Sequence, residues 1–164
     1  MPLVKQGAVV PDPFARVADD AALPEGPALV PLARLLADGL PEGRNAPLGV
    51  LVPNAADVAL LAPFIGQLAV IVLDFPKFRD GRAYSQARLL RERFGFSGEL
   101  RAAGNVLRDQ VLLMVRCGFD AFEVAKADDI PGFTHALAAY SLVYQPTGDG
   151  RRTIGDARRA ARGA

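Results

Sequence analysis

Residues 75–110, FPKFRDGRAYSQARLLRERFGFSGELRAAGNVLRDQ, hold seven of the sixteen arginines of this chain, with acids, amides and a tyrosine close by. Arginine presents a planar fork of donors that suits carboxylates, phosphates and sulfur oxyanions. Carboxylates and phenols beside such forks can orient them or move protons. Asp74, Lys77, Arg79, Arg82, Ser85, Arg101, Asp109 and Gln110 are therefore the candidates for binding a small anion. Asp80, Tyr84 and Glu99 are the candidates for an acid or a base.

Most of these residues also admit a plainer role. Asp80 precedes a predicted helix and could cap it while the neighbouring arginines stay solvated. Tyr84 could pack and bond its own loop. Glu99 and Arg101 stand two apart on a predicted strand and point to one face. They could form a structural ion pair or line a polar layer inside a curled sheet, since a buried charge costs several kcal/mol unless paired. Asp109 suits the positive end of a helix. Gln110 falls on an apolar stripe, where a buried amide needs partners.

The elements that must position these groups begin at residue 48. LGVLV (48–52) is a short continuous apolar run, the mark of a strand buried on both faces. Asn54 reads as a cap, with Asp57 three residues on, for a helix carrying Val58, Leu61, Ala62 and Ile65, which Pro63 and Gly66 shorten. AVIVLD (69–74) is a second strand, ending in Asp74. A helix over 82–94 follows, with Ala83, Ala87, Leu90 and Phe94 on its core side. Residues 98–104 are a third strand. A helix capped by Asn105 carries Val106, Gln110, Leu113 and Cys117 on one stripe, and Gly118 suits its end. Residues 119–124 make a fourth strand, 130–139 a helix, and 141–145 (SLVYQ) a fifth strand.

This alternation predicts an α/β domain of βα repeats with a mainly parallel sheet. Charges within the third strand favour a partial curl like part of a TIM barrel; the alternative is an open, doubly wound, flavodoxin-like sheet. In either case the loop holding Lys77, Arg79, Asp80 and Arg82 lies at the carboxyl edge, where ligands of α/β proteins bind. The core spans residues 48–145. Eight of the thirteen prolines lie in residues 1–47, a segment expected to wrap the core with a hairpin or edge strand around Gly7 and a short helix over 31–38. Residues 146–164, with four glycines and five arginines, read as a disordered tail.

Composition narrows the chemistry. The chain has 164 residues, which fits one domain, and a formal net charge of +1, so no global field recruits nucleic acid or an acidic membrane. No apolar run reaches the roughly 18 residues of a spanning helix, and no leader is evident, so a cytoplasmic protein is expected. One cysteine and one histidine cannot build a cluster or zinc site within the chain, so no metal is expected. Cys117 falls on a core stripe as an inert thiol, and His135 has no evident partner. No dinucleotide fingerprint, Walker loop, nucleophile elbow or zinc-protease motif is present. Redox chemistry would thus need a noncovalent flavin or a partner protein. Exposed sheet edges are compatible with a homodimer.

The same block resembles a bacterial family called domain of unknown function 934. LVPLARLLA (29–37), RCGFDAFEV (116–124) and SLVYQ (141–145) are similar to its flanking segments. The motif covers Asp74, Phe75, Lys77, Arg79, Asp80, Arg82, Tyr84, Ser85, Glu99, Arg101, Asp109 and Gln110, without established roles. The resemblance implies company with assimilatory sulfite reductase and the reductase of activated sulfate, and the label of probable oxidoreductase. The expectation is an accessory protein of reductive sulfur assimilation that binds a small oxyanion or docks on that machinery. The alternatives are an enzyme acting on an anionic substrate and a structural interaction module.

Overall fold

A computed structural model describes residues 1–77, 79–147 and 149–162. Eight strands form one sheet in the order β2-β1-β8-β7-β6-β5-β4-β3. The parallel part runs through β3 (Ala15–Arg16), β4 (Ala28–Pro31), β5 (Leu48–Val52), β6 (Val70–Phe75), β7 (Glu99–Gly104) and β8 (Ala121–Glu123). Each of these strands adds beside its predecessor, so every right-handed crossover leaves its connection on the same face. A doubly wound sheet reverses its strand order partway; this one does not, and it curls into a half-barrel. An antiparallel hairpin, β1 (Leu3–Lys5) and β2 (Ala8–Val10), extends the sheet beyond β8. Its turn places Gln6 at φ 51° and Gly7 at φ 80°, the left-handed pair that a tight hairpin requires.

The helices α1 (Leu32–Asp38), α2 (Arg82–Arg88), α3 (Val111–Arg116) and α4 (Ile130–Ala138) accompany this sheet. Strand alternation sends Val50, Ile71, Leu73, Phe75, Leu100, Ala102 and Phe122 into the main core, with Leu35, Ala83, Ala87, Leu90, Met114 and Phe133 of the helices. The other, concave face carries only a small apolar cluster, Leu29, Val70, Val72 and Ala103, with Phe14 and Leu51 against it. Along β7 and β8 the same face carries Glu99, Arg101 and Glu123, and the candidate site begins there.

Several expected elements take another form. Residues 58–61 make only a 3-10 turn, Val58–Leu61, and its cap is Asp57, which accepts from the Ala59 amide. Pro63 has no amide to continue a helix there. α2 passes directly into a wide turn of π-helix, Leu89–Arg93. α3 starts at Val111 instead of residue 106, because Gly104 and the turn before Gln110 use the intervening residues. Its buried side is Val111 and Met114, and Leu113 of the expected stripe is 55% exposed. Residues 141–145 form no strand; Val143 makes a single bridge to Thr153. In place of a disordered tail stands α5 (Ile154–Arg162), opened by a reciprocal cap in which the Thr153 amide donates to Asp156 and the Asp156 amide to the Thr153 hydroxyl.

Candidate functional site

Arg101 is the centre of the concave face. It lies mid-strand on β7, and its side chain is fully buried. Its Nε donates to Glu99 Oε1 at 2.8 Å, and its two terminal nitrogens grip Asp12 at 2.6 and 3.1 Å. Glu123 of β8 accepts from Nη1 at 3.3 Å. A second ring of cations neutralises those carboxylates: Lys5 reaches Glu99 at 2.7 Å and Arg16 reaches Glu123 at 2.6 and 2.7 Å. The Phe14 ring centroid stands 6.0 Å from the Arg101 guanidinium carbon. Burial works against the Arg101 charge, but the bonds from Asp12 and Glu99 outweigh it and hold the group above its ordinary pKa. For Asp12 burial pulls upward, while Arg101 and the Phe14 amide hold the carboxyl below its ordinary value.

Asp12 reaches Arg101 from outside the sheet. The strap between β2 and β3, Pro11 to Phe14, crosses the open face with proline on both sides of Asp12. In a complete TIM barrel, further strands would close this side. Here a strap places one carboxylate and one aromatic ring over the polar layer.

At the carboxyl edge of the same face stands Asp74, in register with Ala103 on β7. Among the described residues it accepts no hydrogen bond. Burial raises its pKa and Arg16 draws it partly back. The backbone at Gly104 runs against it: φ is 86°, and a Cβ there would lie 2.6 Å from Asp74 Oδ1. Only glycine leaves room for that carboxylate in its present position.

The remaining candidates sit on the loop and helices behind the sheet. Asp80 is held by Arg82, which donates to it at 2.6 and 2.9 Å, and its Oδ1 also accepts the Arg82 amide at 3.3 Å. The Arg82 side chain first, with the Arg82 backbone amide, keeps the Asp80 carboxyl well below the carboxylate range despite burial pulling the other way. Lys77 and Arg79 are exposed and make no ion pair among the described residues. Tyr84 packs edge-on to Phe75, ring centroids 5.2 Å apart, and its buried hydroxyl has no partner among the described residues. Burial, then the charges of Cys117 and Asp109, push its phenol upward. Ser85 and Asp109 are exposed, and Gln110 is half-buried at the start of α3.

The structure thus brings Asp74, Glu99 and Arg101 to one face and leaves the other candidates on the loop and helices. Lys5, Asp12, Arg16 and Glu123 complete the cluster and escape a reading of the arginine-rich block. Glu123 had a signal: in FDAFEV it stands two residues from Ala121 and alternates with Phe122 and Val124, so it faces inward. Asp12, between prolines in an irregular segment, had none.

A cavity of about 680 Å³ lies at the opposite, amino edge, between Cys117, Phe119, Asp120, Phe122, Leu137 and the clamp of Arg91. Arg91 is held there by four bonds: it donates to the carbonyls of Phe96, Gly98 and Gly118 and to Asp120. Burial raises the half-buried Cys117 thiol, so it is a poor nucleophile. His135 is exposed. Among the described residues no three His, Cys, Asp or Glu side chains group closely enough to hold a metal ion. Nor, among those residues, is any helix long and apolar enough to cross a membrane.

Residues 49–154 match a family described as bacterial protein of unknown function (DUF934). No curated protein matches the chain.

Proposed function

The chain belongs to that bacterial family of unknown function, DUF934, and we propose that it is an accessory protein of reductive sulfur assimilation that takes a small sulfur oxyanion at the carboxyl edge of the half-barrel. One observation carries the reading. On the loop leaving the central strand β6, Lys77 and Arg79 stand exposed without a carboxylate partner among the described residues, while Arg82 and Arg101 are already held by carboxylates. Arg16, half-exposed and bonding Glu123 through one terminal nitrogen, faces the same edge beside Asp74. The resemblance noted in the sequence supplies the class of anion.

The test is calorimetric titration with sulfite and with sulfate at fixed ionic strength. Saturable binding that Lys77→Ala/Arg79→Ala abolishes supports the reading. Absence of binding, together with co-purification with sulfite reductase or activated-sulfate reductase, would replace it with docking on that machinery.

A second reading, an enzyme acting on an anionic substrate, is favoured by Asp74. Asp80 is held as an anion by Arg82, and Glu99 is committed to Lys5 and Arg101. Asp74 is free of hydrogen bonds among the described residues, with its pKa raised by burial, as a proton-transfer group requires. Turnover by the purified protein that vanishes in Asp74→Asn would establish it; saturable binding without turnover would exclude it. Any electron transfer in such a reaction would need a noncovalent flavin, which absorbance of the purified protein after reconstitution would reveal, or a partner protein.

A further inference from the structure

We infer that the outer edge of the Arg101 guanidinium is a seat for a small oxyanion, occupied in this structure by the carboxylate of Asp12. The inference takes its class of ligand from the proposed function and differs from it in place.

Three carboxylates surround Arg101, and they are not equivalent. Glu99 and Glu123 project from β7 and β8 and are fixed by the sheet. Asp12 is delivered by residues 11–14, which make no backbone–backbone hydrogen bond to the rest of the described chain. It presents both oxygens to the two terminal nitrogens, the end-on fork by which arginine binds a free carboxylate or oxyanion. Its side chain is 32% exposed while Arg101 behind it is not exposed at all, so solvent reaches the seat through Asp12.

The strap is also loosely seated. A cavity of about 600 Å³ lies between it, the hairpin and the inner face, lined by Lys5, Pro11, Pro13, Phe14 and Glu99 among others. Charge completes the argument. With Asp12 in place, Asp12, Glu99 and Glu123 balance Lys5, Arg16 and Arg101. When the strap lifts, one positive charge is left over at a buried guanidinium, and an anion from solution is the group that restores the balance. Asp74, the fourth acid on this face, is acted on by Arg16. Because Asp12 is tethered, it competes at high effective concentration and lowers the apparent affinity of any free ligand.

Asp12→Gly removes the competitor and keeps the strap. The variant is titrated with formate, sulfite and sulfate at fixed ionic strength, followed by calorimetry and by the Arg101 Nε–H resonance. The expected result is saturable binding at least about tenfold tighter than to the wild type, with that resonance shifted, and with the gain retained in a Lys77→Ala/Arg79→Ala background. Binding no tighter than wild type overturns the inference. So does a gain that disappears in the double-substituted background, which would place the anion at the carboxyl edge and leave the proposed function standing. A wild type that binds nothing beside a variant that does sinks the edge reading alone. If Asp12→Gly folds poorly, folding restored by formate or sulfite, and not by chloride, supports the seat; indifference to the anion rejects it.

Discussion

Nη2 of Arg16 lies 2.6 Å from Oε2 of Glu123, joining the first parallel strand to the last. In a flat sheet those two strands, five spacings of about 4.8 Å apart, would be separated by about 24 Å. The ion pair is therefore a direct measure of the curl, and it spans the open side of the half-barrel beside the strap.

Breaking that pair should loosen the curl. Glu123 is buried and Arg16 half-exposed, so Arg16→Ala leaves a buried carboxylate short of one partner while Arg101 still serves it. A loss of about 1–2 kcal/mol is expected in urea denaturation, below that of a fully buried pair. No measurable loss would mean that the curl is set by packing alone.

Asp12 and Asp74 should respond to pH in opposite senses. Asp12 has its folded pKa below the unfolded one, so its stabilisation is present above the unfolded value of about 3.9 and fades as pH falls through the folded one. Asp12→Asn should lower the melting temperature at pH 7 and have little effect in strong acid. Asp74 has its folded pKa raised by burial, so its contribution is full below the unfolded value and is lost as pH rises through the folded one. Asp74→Asn should therefore raise the melting temperature at pH 7 and change little at low pH. Melts from pH 3 to 8 would read both, and a destabilised Asp74→Asn at neutral pH would contradict the account of that carboxylate.

Gly104→Ala should cost about 1–3 kcal/mol, because it adds a Cβ at positive φ. That Cβ would lie 2.6 Å from Asp74 Oδ1 and 2.7 Å from the Phe75 carbonyl oxygen. It should also displace Asp74, so any ligand or proton-transfer role of that residue is lost with it. Adding Asp74→Ala should recover only part of the stability, since the clash with the Phe75 carbonyl remains. Full recovery would mean that the carboxylate alone is the obstacle.

Thr153→Ala should fray α5 and leave the sheet intact. The reciprocal Thr153–Asp156 bonds cap that helix, and losing such a cap costs about 1 kcal/mol locally. Faster hydrogen exchange at residues 154–158, with no change at β6 or β7, is the expected readout.

The parallel strands were legible where apolar runs were continuous: residues 48–52 form β5 as read, and β6 is displaced by one residue. Glu99 and Arg101 favoured the curl over an open sheet because a polar layer inside it can hold two charges on one side of a strand, and the plainer expectation of an ion pair between them holds as well. Helices were less legible where glycine and proline intervene. The pattern after Asn105 was read in the wrong phase because Gly104 and its following turn delay α3 to Val111. The tail looked disordered by composition, yet Thr153 and Asp156 stand three apart, a local signal that composition averages away. The site was half legible. Arg101 and Glu99 stand within the charged block, but their partners Lys5 and Asp12, and the Arg16 that holds Glu123, come from the first sixteen positions, and only the folded chain brings these across the sheet.

The strap has a bearing on how the chain reaches this state. Asp12 meets Arg101 across 89 positions of sequence and Arg16 meets Glu123 across 107, while Leu3 of β1 pairs with Glu123 of β8. Residues 3–16 are made well before β8, so until it follows, β1 can pair only with β2, and β3 only with β4. The nascent β-α units can stack on one another meanwhile, with the concave face open and Arg101 wet. The contacts of Asp12 with Arg101 and of Arg16 with Glu123 thus join segments made far apart, and forming them shuts water out of the inside of the half-barrel at Arg101.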